Sequence, residues 1–327
     1  MKSVLCSLLV STAAMATEGT GWTLHPGGPW QVSGSLKGKK DVSAIDLISS
    51  GTGLLASDEG SLVQSVRLDA ALRTLTLGSA WPLLGPKREA DIEGIAAAPA
   101  ENCYFVTGSH AISRKKMELE PSRFHIFRVR LNPATQAPSG AVDTATLRPL
   151  LESMPELKPF LDEPTTAHGI DIEGLAWREG RLFIGFRAPG QGEHAWVLET
   201  SVKAVFDGAP ADAKLHALPV GRAIGIRALT PVRAGFLFLS GDAGLDQSRA
   251  APALYFWKPG APPQKLGPVP AGGKPEALTV LSESDAAIEL LMLSDGPVNG
   301  SPVGLQVKKA TDPLSADVRT LPDASRP

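Results

Sequence analysis

Acidic side chains recur within a short repeated motif, and their residue types suit proton transfer or the binding of a hard cation. The segment Asp91–Ala96 has the sequence DIEGIA, and Asp171–Ala176 has the sequence DIEGLA. A weaker copy, Lys274–Thr279, keeps its acid at Glu276. Carboxylate oxygens are the ligands that Ca²⁺ prefers, and carboxyl groups that lie close together raise one another's pKa unless a positive charge neutralises them.

Two further segments share the pattern but carry other residues at the position of the glutamate. Gly225–Thr230 has Arg227 there, and Val42–Leu47 has Ser43. The five aligned positions are 50, 80, 54 and 49 residues apart. Periods of about 40–50 residues, with several strands in each, are typical of β-propeller blades. The sequence therefore predicts an all-β protein, a β-propeller of five blades. The alternative is six blades, the sixth formed by N-terminal strands and divergent sequence.

The second unit is longer than the others by a segment at about 132–168. Its apolar residues have helix-like spacing but are interrupted by prolines, and they are Leu147, Leu150, Leu151, Met154, Leu157 and Leu161. This pattern predicts a partly helical insertion between the second and third blades. Such an insertion either covers a binding face or packs against the rim.

The topology of a blade predicts where the recurrent side chains meet. The innermost strand begins at the same face at which its antiparallel neighbour ends. The strand starts carry Ser43, Glu93, Glu173, Arg227 and Glu276, and the ends of the second strands carry Asp58, Glu59, His110, Arg187, Asp242 and Asp295. We therefore expect all of these groups at one mouth of the central channel, with small residues after each strand start so that the strands can crowd together.

Two interpretations of this mouth follow from the residue types. In the first, Glu93, Glu173, Glu276 and Asp242 hold Ca²⁺ or another divalent cation, and His110, Arg187 and Arg227 bind or protonate a substrate. In the second, Glu93 and Glu173 cap backbone amides or pair with the arginines, and no ligand is involved. Asp91 and Asp171 are expected in the turn before the strand, bonded to its backbone.

The N-terminal sequence predicts export and closure of the propeller. Lys2, the apolar run at 4–10 and a small-residue pattern at 14–16 indicate a signal peptide at 1–16, which places a single propeller domain of 17–327 in the periplasm or outside the cell. Trp22–Leu36 is predicted to form one or two strands with a turn at His25–Pro29, and the first strand can complete the last blade. Val318–Leu321 is predicted to be a final strand.

Composition and missing motifs exclude several classes of function. The chain has 327 residues, 43% of them hydrophobic, and a formal net charge of −2, so it has no overall field that would attract nucleic acid. We expect a monomer without a membrane span. Nucleophile-elbow, zincin and paired-cysteine motifs are absent from the sequence. Cys103 opens a predicted strand and is expected to be a small core residue.

Several of these segments resemble a known family. The motifs at Asp91–Ala96 and Asp171–Trp177 are similar to the bacterial β-propeller family catalogued as domain of unknown function 3616. Further matching segments are Arg181–Arg187, Ile224–Leu229, Phe238–Asp242 and Lys274–Leu278. The resemblance covers roughly residues 40–300 and implies a propeller without an assigned activity.

A weaker similarity links the paired Glu-Gly motif to phytase-like esterase propellers and to gluconolactonase-type propellers. In the latter, a glutamate followed by glycine opens the inner strand and binds a divalent metal. Glu93 and Glu173 match that feature, whereas the other metal ligands of that group have no clear counterpart in this sequence.

Two hypotheses of function follow. The first is an uncharacterised periplasmic propeller that acts as a divalent-metal-dependent hydrolase of phosphoester, ester or lactone substrates at the channel mouth. The second is a non-enzymatic propeller module that binds a protein or glycan there. Fold alone does not choose between them.

Overall fold

The structure is a computed structural model that describes residues 21–37, 41–85, 88–112, 117–190, 192–243, 251–270 and 272–309. Two N-terminal strands come first, β1 (Trp22–Pro29) and β2 (Gln31–Ser33). Blade one consists of β3 (Val42–Ser49), β4 (Thr52–Ser57), β5 (Leu62–Asp69) and β6 (Thr74–Pro82). Blade two consists of β7 (Ile92–Ala98), β8 (Cys103–Gly108), β9 (Ile126–Arg130) and β10 (Asp143–Ala145).

Blade three consists of β11 (Asp171–Arg178), β12 (Arg181–Ala188), β13 (His194–Ser201) and β14 (Lys214–Pro219). Blade four consists of β15 (Ile224–Val232), β16 (Gly235–Asp242), β17 (Ala253–Trp257) and β18 (Gln264–Pro268). Blade five consists of β19 (Lys274–Glu283), β20 (Ala287–Asp295) and β21 (Val303–Lys309), completed by β1. The prediction of an all-β, five-bladed propeller is confirmed.

The ring is closed by strands from both ends of the described chain. β1 pairs antiparallel with β21 and so completes blade five, as the sequence predicts. β2 then pairs parallel with the outermost strand of blade one, β6, so the same segment links the last blade to the first. The predicted turn at His25–Pro29 is wrong, because these residues continue β1 with an irregularity between Pro26 and Pro29. An edge strand tolerates proline, since the missing N–H faces away from the ladder.

The hydrophobic core is divided into five clusters, one between each pair of neighbouring blades. Each cluster mixes side chains from both blades; Phe183 of blade three, for example, meets Phe236 of blade four with ring centroids 4.4 Å apart. Burial of these apolar faces drives the blades together. Cys103 is a buried member of the cluster between blades two and three, as expected.

The long connection between blades two and three is only slightly helical. It contributes β10 to blade two and contains a five-residue helix, α1 (Arg148–Glu152), with short 3-10 turns after it. Its leucines are buried in the core between the two blades, and these are Leu147, Leu150, Leu151, Leu157 and Leu161. A second five-residue helix, α2 (Val202–Phe206), follows β13. No helix within the described ranges is long and apolar enough to cross a membrane.

Two predictions lie outside the described residues. These are the signal peptide at 1–16 and the final strand at Val318–Leu321.

Candidate functional site

All five positions of the sequence repeat are β-bulges. In each blade the innermost strand skips one residue in its pairing with the second strand; in blade three, for example, Ile172 pairs with Phe186 and Gly174 pairs with Gly185. The skipped residues, which we call the bulge residues, are Ser43, Glu93, Glu173, Arg227 and Glu276. A bulge leaves the extra residue unpaired and re-aims its side chain. Here the bulges turn these side chains toward one end of the channel, which we call the acidic mouth.

Small residues after the bulges allow the inner strands to approach closely. A Cβ atom added to Gly94 would lie 2.8 Å from Leu175 Cβ and 2.9 Å from Thr107 Cγ2. A Cβ atom added to Gly174 would lie 3.0 Å from Ile226 Cγ2. The Glu-Gly pair therefore combines an unpaired acid with the room that lets it face its neighbours across the channel.

Four of the predicted site residues form one ion-pair network: Glu173, Arg187, Arg227 and Glu276. These four residues and Asp171 make up what we call the central charged network. Arg187 Nη1 donates to Glu173 Oε1 and lies 3.3 Å from Asp171 Oδ2. Arg227 Nη1 donates to Glu276 Oε1 and lies 3.3 Å from Glu173 Oε2 without hydrogen-bond geometry. Glu173 is nearly inaccessible at 3% side-chain exposure, and it lies between two guanidinium groups. The interpretation in which the arginines neutralise the acids thus describes Glu173 and Glu276.

Glu93 differs from Glu173 although both occupy the same motif. Within the described residues, no ion pair joins Glu93 to an arginine. Burial, followed by the charges of Glu173, Asp91, Glu276 and Asp171, raises the pKa of Glu93 well above the usual value of a glutamate. Glu93 therefore keeps its proton to a higher pH than an ordinary carboxyl group does.

Other carboxyl groups of the mouth also have raised pKa values. Burial and the charge of Glu173 raise the pKa of Glu276 to about 8, although Arg227 opposes the shift. Burial raises the pKa of Asp58 to about 7, with smaller contributions from neighbouring acids. Burial and a hydrogen bond with Asp295 raise the pKa of Asp41. The mouth as a whole therefore carries an excess of acid.

Asp91 and Asp171 belong to this charge arrangement. The Asp91 carboxylate accepts hydrogen bonds from Ser109 Oγ at 2.5 Å and from Arg123 Nη1 at 2.7 Å. Asp91 lies directly before β7, whereas Asp171 is the first residue of β11 and faces Arg187. Bonds from these two side chains to the strand backbone stay a prediction.

His110 lies apart from the central charged network. Its Nδ1 is 3.1 Å from Gly108 O, and its ring meets Phe124 edge-on with centroids 5.9 Å apart. Burial lowers the pKa of His110 to about 4, so the imidazole is neutral at neutral pH. Asp242 ends β16 and pairs with Ile224 in the ladder, close in sequence to the bulge at Arg227.

The predicted cation site can be tested against these contacts. Glu173 and Glu276 are already held by Arg187 and Arg227, so guanidinium groups lie where a cation would have to bridge the two acids. Across the part of the chain that the structure describes, no three His, Cys, Asp or Glu side chains are grouped as a metal site. In this arrangement the residues do not fit a divalent cation. A divalent cation held by Glu93, Glu173, Glu276 and Asp242 stays a prediction, which titration of the protein with the metal would test.

A very small cavity lies at the centre of the acidic mouth. Its polar lining consists of Ser43, Glu93, Glu173 and Glu276, and its volume is about 10 Å³. That volume is close to the room that a single water molecule needs. A substrate would have to lie over this mouth, because the channel itself is too narrow to admit one.

The opposite end of the channel is wider, and we call it the opposite mouth. It holds a cavity of about 370 Å³, reached by residues that lie four positions after each bulge residue. These residues are Leu47, Ala97, Trp177, Pro231 and Val280. This cavity was not predicted from the sequence. The five residues lie at a constant offset from the repeat and are all apolar, but apolar residues recur along every buried strand, so this pattern does not mark a cavity.

Several solved structures are similar to this chain at low sequence identity. A streptogramin B lyase structure is 9% identical, covers 87% of this chain and 97% of that chain, and has a TM-score of 0.39. The WD40 β-propeller domain of Doa1 is 10% identical, covers 85% and 97%, and has a TM-score of 0.39. A protein of unknown function from Bacteroides thetaiotaomicron is 10% identical, covers 88% and 76%, and has a TM-score of 0.43. At these identities the likeness concerns the fold alone.

A search of the curated proteins finds no match to the sequence. A family profile with the description "Protein of unknown function (DUF3616)" matches residues 41–136 and 130–242, which together span more than half of the chain. The bulged Glu-Gly segments at Glu93 and Glu173 both lie inside these matched regions. The chain belongs to this family of proteins of unknown function (DUF3616).

Proposed function

We propose that the protein is a hydrolase of neutral esters or lactones and that its reaction centre is the acidic mouth. The observation that carries this proposal is the water-sized cavity lined by Glu93, Glu173 and Glu276. Glu173 and Glu276 are paired with arginines, and no arginine among the described residues pairs with Glu93. Pairs of titratable groups whose environments differ in this way are typical of an acid and a base that work together.

The contacts of each glutamate suggest its role. Glu173 Oε2 has no hydrogen-bond partner, so it can accept a proton from a water in the cavity. The oxygen of that water then bonds to the acyl carbon of the substrate. Glu93 gives its own proton to the leaving oxygen as the acyl–oxygen bond breaks, and transfer of the new proton from Glu173 to Glu93 then restores both groups. Arg187 and Arg227 hold Glu173 in place and balance its negative charge until it accepts the proton.

The charge of the mouth favours a neutral substrate over a phosphoester. Burial is the main cause of the raised pKa values of Asp41, Asp58, Glu93 and Glu276, and neighbouring acids add to each shift. A phosphate group brought to this mouth would be repelled by the same field. An uncharged ester or lactone has no such penalty. The proposed reaction uses no metal, because Arg187 and Arg227 already pair with the carboxylates that would bind one.

We also propose that the protein is exported, with residues 1–16 as its signal peptide. The support is the sequence pattern alone. N-terminal sequencing of the protein from a periplasmic extract tests it, since cleavage after Ala16 gives a chain that begins at Thr17.

The test of the hydrolase proposal compares substrates and variants. The substrates are p-nitrophenyl acetate, a six-membered lactone and p-nitrophenyl phosphate, each assayed with EDTA and with added CaCl₂. The variants are Glu93→Gln and, as a matched control, Glu156→Gln at an exposed position. We expect hydrolysis of the ester or the lactone in EDTA, and a loss of turnover of at least about 100-fold in Glu93→Gln, with no change in the control.

Three outcomes would overturn the proposal. One is wild-type protein that hydrolyses none of the neutral substrates. Another is Glu93→Gln protein that keeps its turnover. The third is hydrolysis of the phosphoester alone and only with Ca²⁺, which would support the metal-dependent hydrolase that the sequence suggests.

A further inference from the structure

The cavity of the opposite mouth has the size of a small-molecule site. Its volume of about 370 Å³ falls within the ~300–1,000 Å³ typical of ligand pockets. All five blades contribute to its wall, since the innermost strand of each blade ends there. It is separate from the acidic mouth, which lies at the other end of the same strands.

The wall of this cavity is mainly apolar and includes one fixed aromatic ring. The apolar side chains are Leu47, Ala97, Pro99, Pro231, Val232 and Val280. Trp177 joins them, and its Nε1 donates to Glu101 Oε1 at 2.8 Å. That hydrogen bond fixes the orientation of the indole and uses its only donor. Part of the ring packs against the core between blades two and three, and the part that lines the cavity is left for apolar contact.

The charged groups at the rim are balanced by near neighbours. Arg178 donates to the carbonyl oxygens of Val232 and Arg233 at 3.3 and 3.0 Å, and its Nε lies 3.6 Å from Glu179 Oε1. Arg233 pairs with Asp285 at 3.0 Å, and its backbone N–H donates to Glu283. A ligand here therefore meets no unbalanced positive group that would select an anion.

The remaining polar atoms of the rim are mostly acceptors. The side chain of Glu179 is 84% exposed, and Glu283 has carboxylate lone pairs beyond those that Arg233 uses. Acceptors suit a ligand with several O–H donors. The apolar wall suits a ligand that also has a flat C–H face. A neutral sugar ring combines these two properties in a molecule of the right size.

We propose that the opposite mouth binds a neutral carbohydrate ring, with its apolar face against Trp177 and its hydroxyl groups donating to Glu179 and Glu283. Isothermal titration calorimetry with methyl glycosides of glucose, galactose and N-acetylglucosamine tests this, with glucuronate and phenol as charged and aromatic comparisons. We expect at least one neutral glycoside to bind and both comparison compounds to bind more weakly.

Three variants locate the binding. Trp177→Ala removes the ring, and Val280→Trp fills the cavity from another blade. Trp196→Ala on β13 removes a half-buried tryptophan outside the cavity and serves as the matched control. We expect the first two variants to weaken binding about tenfold or more and the control to leave it unchanged. Circular dichroism and thermal melting of each variant confirm that the fold is kept.

The proposal is overturned if no neutral glycoside binds the wild-type protein or if Val280→Trp binds as tightly as wild type. It is also overturned if glucuronate or phenol binds better than every neutral sugar. Loss of binding in Trp196→Ala with an intact fold would place the sugar elsewhere and would overturn it too.

Discussion

The two mouths of the central channel are built from the same five strands, β3, β7, β11, β15 and β19, yet their chemistry is opposite. At the acidic mouth the strands begin with bulges, and the cavity lined by bulge residues measures about 10 Å³. At the opposite mouth mainly apolar side chains surround about 370 Å³. One end is crowded and charged, and the other is open and mostly apolar.

The bulges are the cause of this difference. An extra residue in a strand is left unpaired, and its side chain is re-aimed. Five bulges at equivalent positions therefore concentrate five selected side chains at one point of the channel. At the opposite mouth further bulges occur in blades one and five, but the skipped residues there are the apolar Ile48 and Leu281, so no charged side chains are gathered.

The largest effect is expected from Glu173→Gln at the acidic mouth. The change leaves Arg187 and Arg227 buried with less negative charge, and breaking a buried ion pair costs about 3–5 kcal/mol. We expect a loss near the lower end, about 3 kcal/mol, because Asp171 and Glu276 remain. Urea unfolding followed by circular dichroism measures it against the exposed control Glu156→Gln. A loss no larger than that of the control would mean that the network does not hold this mouth together.

The next effect concerns the space beside the bulges. Gly94→Ala places a methyl group within 2.8 Å of Leu175 Cβ, and such overpacking costs about 1–3 kcal/mol. Gly85→Ala is the matched control, because a Cβ atom there would meet nothing within 4 Å. Thermal melting of the two variants compares them directly. Equal melting temperatures would show that the inner strands are not in close contact at this mouth.

The acidic mouth should also make stability depend on pH through Glu276. Its pKa rises from 4.5 to about 8 on folding, so the folded protein holds more protons between these values and loses stability as pH rises through them. The slope stays below about 1.4 kcal/mol per pH unit, the limit for one proton. Urea unfolding from pH 4.5 to 8 should give a smaller slope for Glu276→Gln than for wild type. Identical slopes would contradict the pKa shift.

The smallest effect is expected at the opposite mouth, from Asp46→Asn. Asp46 accepts hydrogen bonds from Ala97 N at 2.8 Å and from Thr279 Oγ1 at 2.9 Å, and so links blade one to blades two and five. An amide in place of the carboxylate loses one of these bonds, at about 1 kcal/mol. Urea unfolding at pH 8, above the pKa of about 6 that burial gives Asp46, measures this loss against Asp285→Asn. An unchanged free energy of unfolding would mean that Asp46 does not join the blades.

The repeat predicted the blades and the residues of the acidic mouth because both follow from spacing. The inner strands of successive blades recur at the same face, so a repeated Glu-Gly segment marks one location. The bulges themselves could not be predicted, because a bulge is a property of how two strands pair. The different environments of Glu93 and Glu173 could not be predicted from the sequence either, because Arg187 and Arg227 contact Glu173 only in the folded protein.

Two further features show where sequence patterns mislead. His25–Pro29 has the composition of a turn, yet it is part of an edge strand, where tertiary pairing overrides the local preference. The cavity of the opposite mouth draws Leu47, Ala97, Trp177, Pro231 and Val280 from five separate strands. Nothing in their residue types marks them as one site, so only the three-dimensional arrangement reveals it.

The titration of the Glu93 carboxyl group tests the central claim most directly, because bulges that bring three glutamates together at one mouth should raise the pKa of Glu93. ¹³C NMR of protein labelled at the glutamate side chains follows each carboxyl group, and Glu93→Gln assigns the signal. We predict that Glu93 titrates well above 4.5, as burial and the neighbouring acids require. A Glu93 signal that titrates near 4.5 would show a solvated carboxylate and would contradict the account of the acidic mouth.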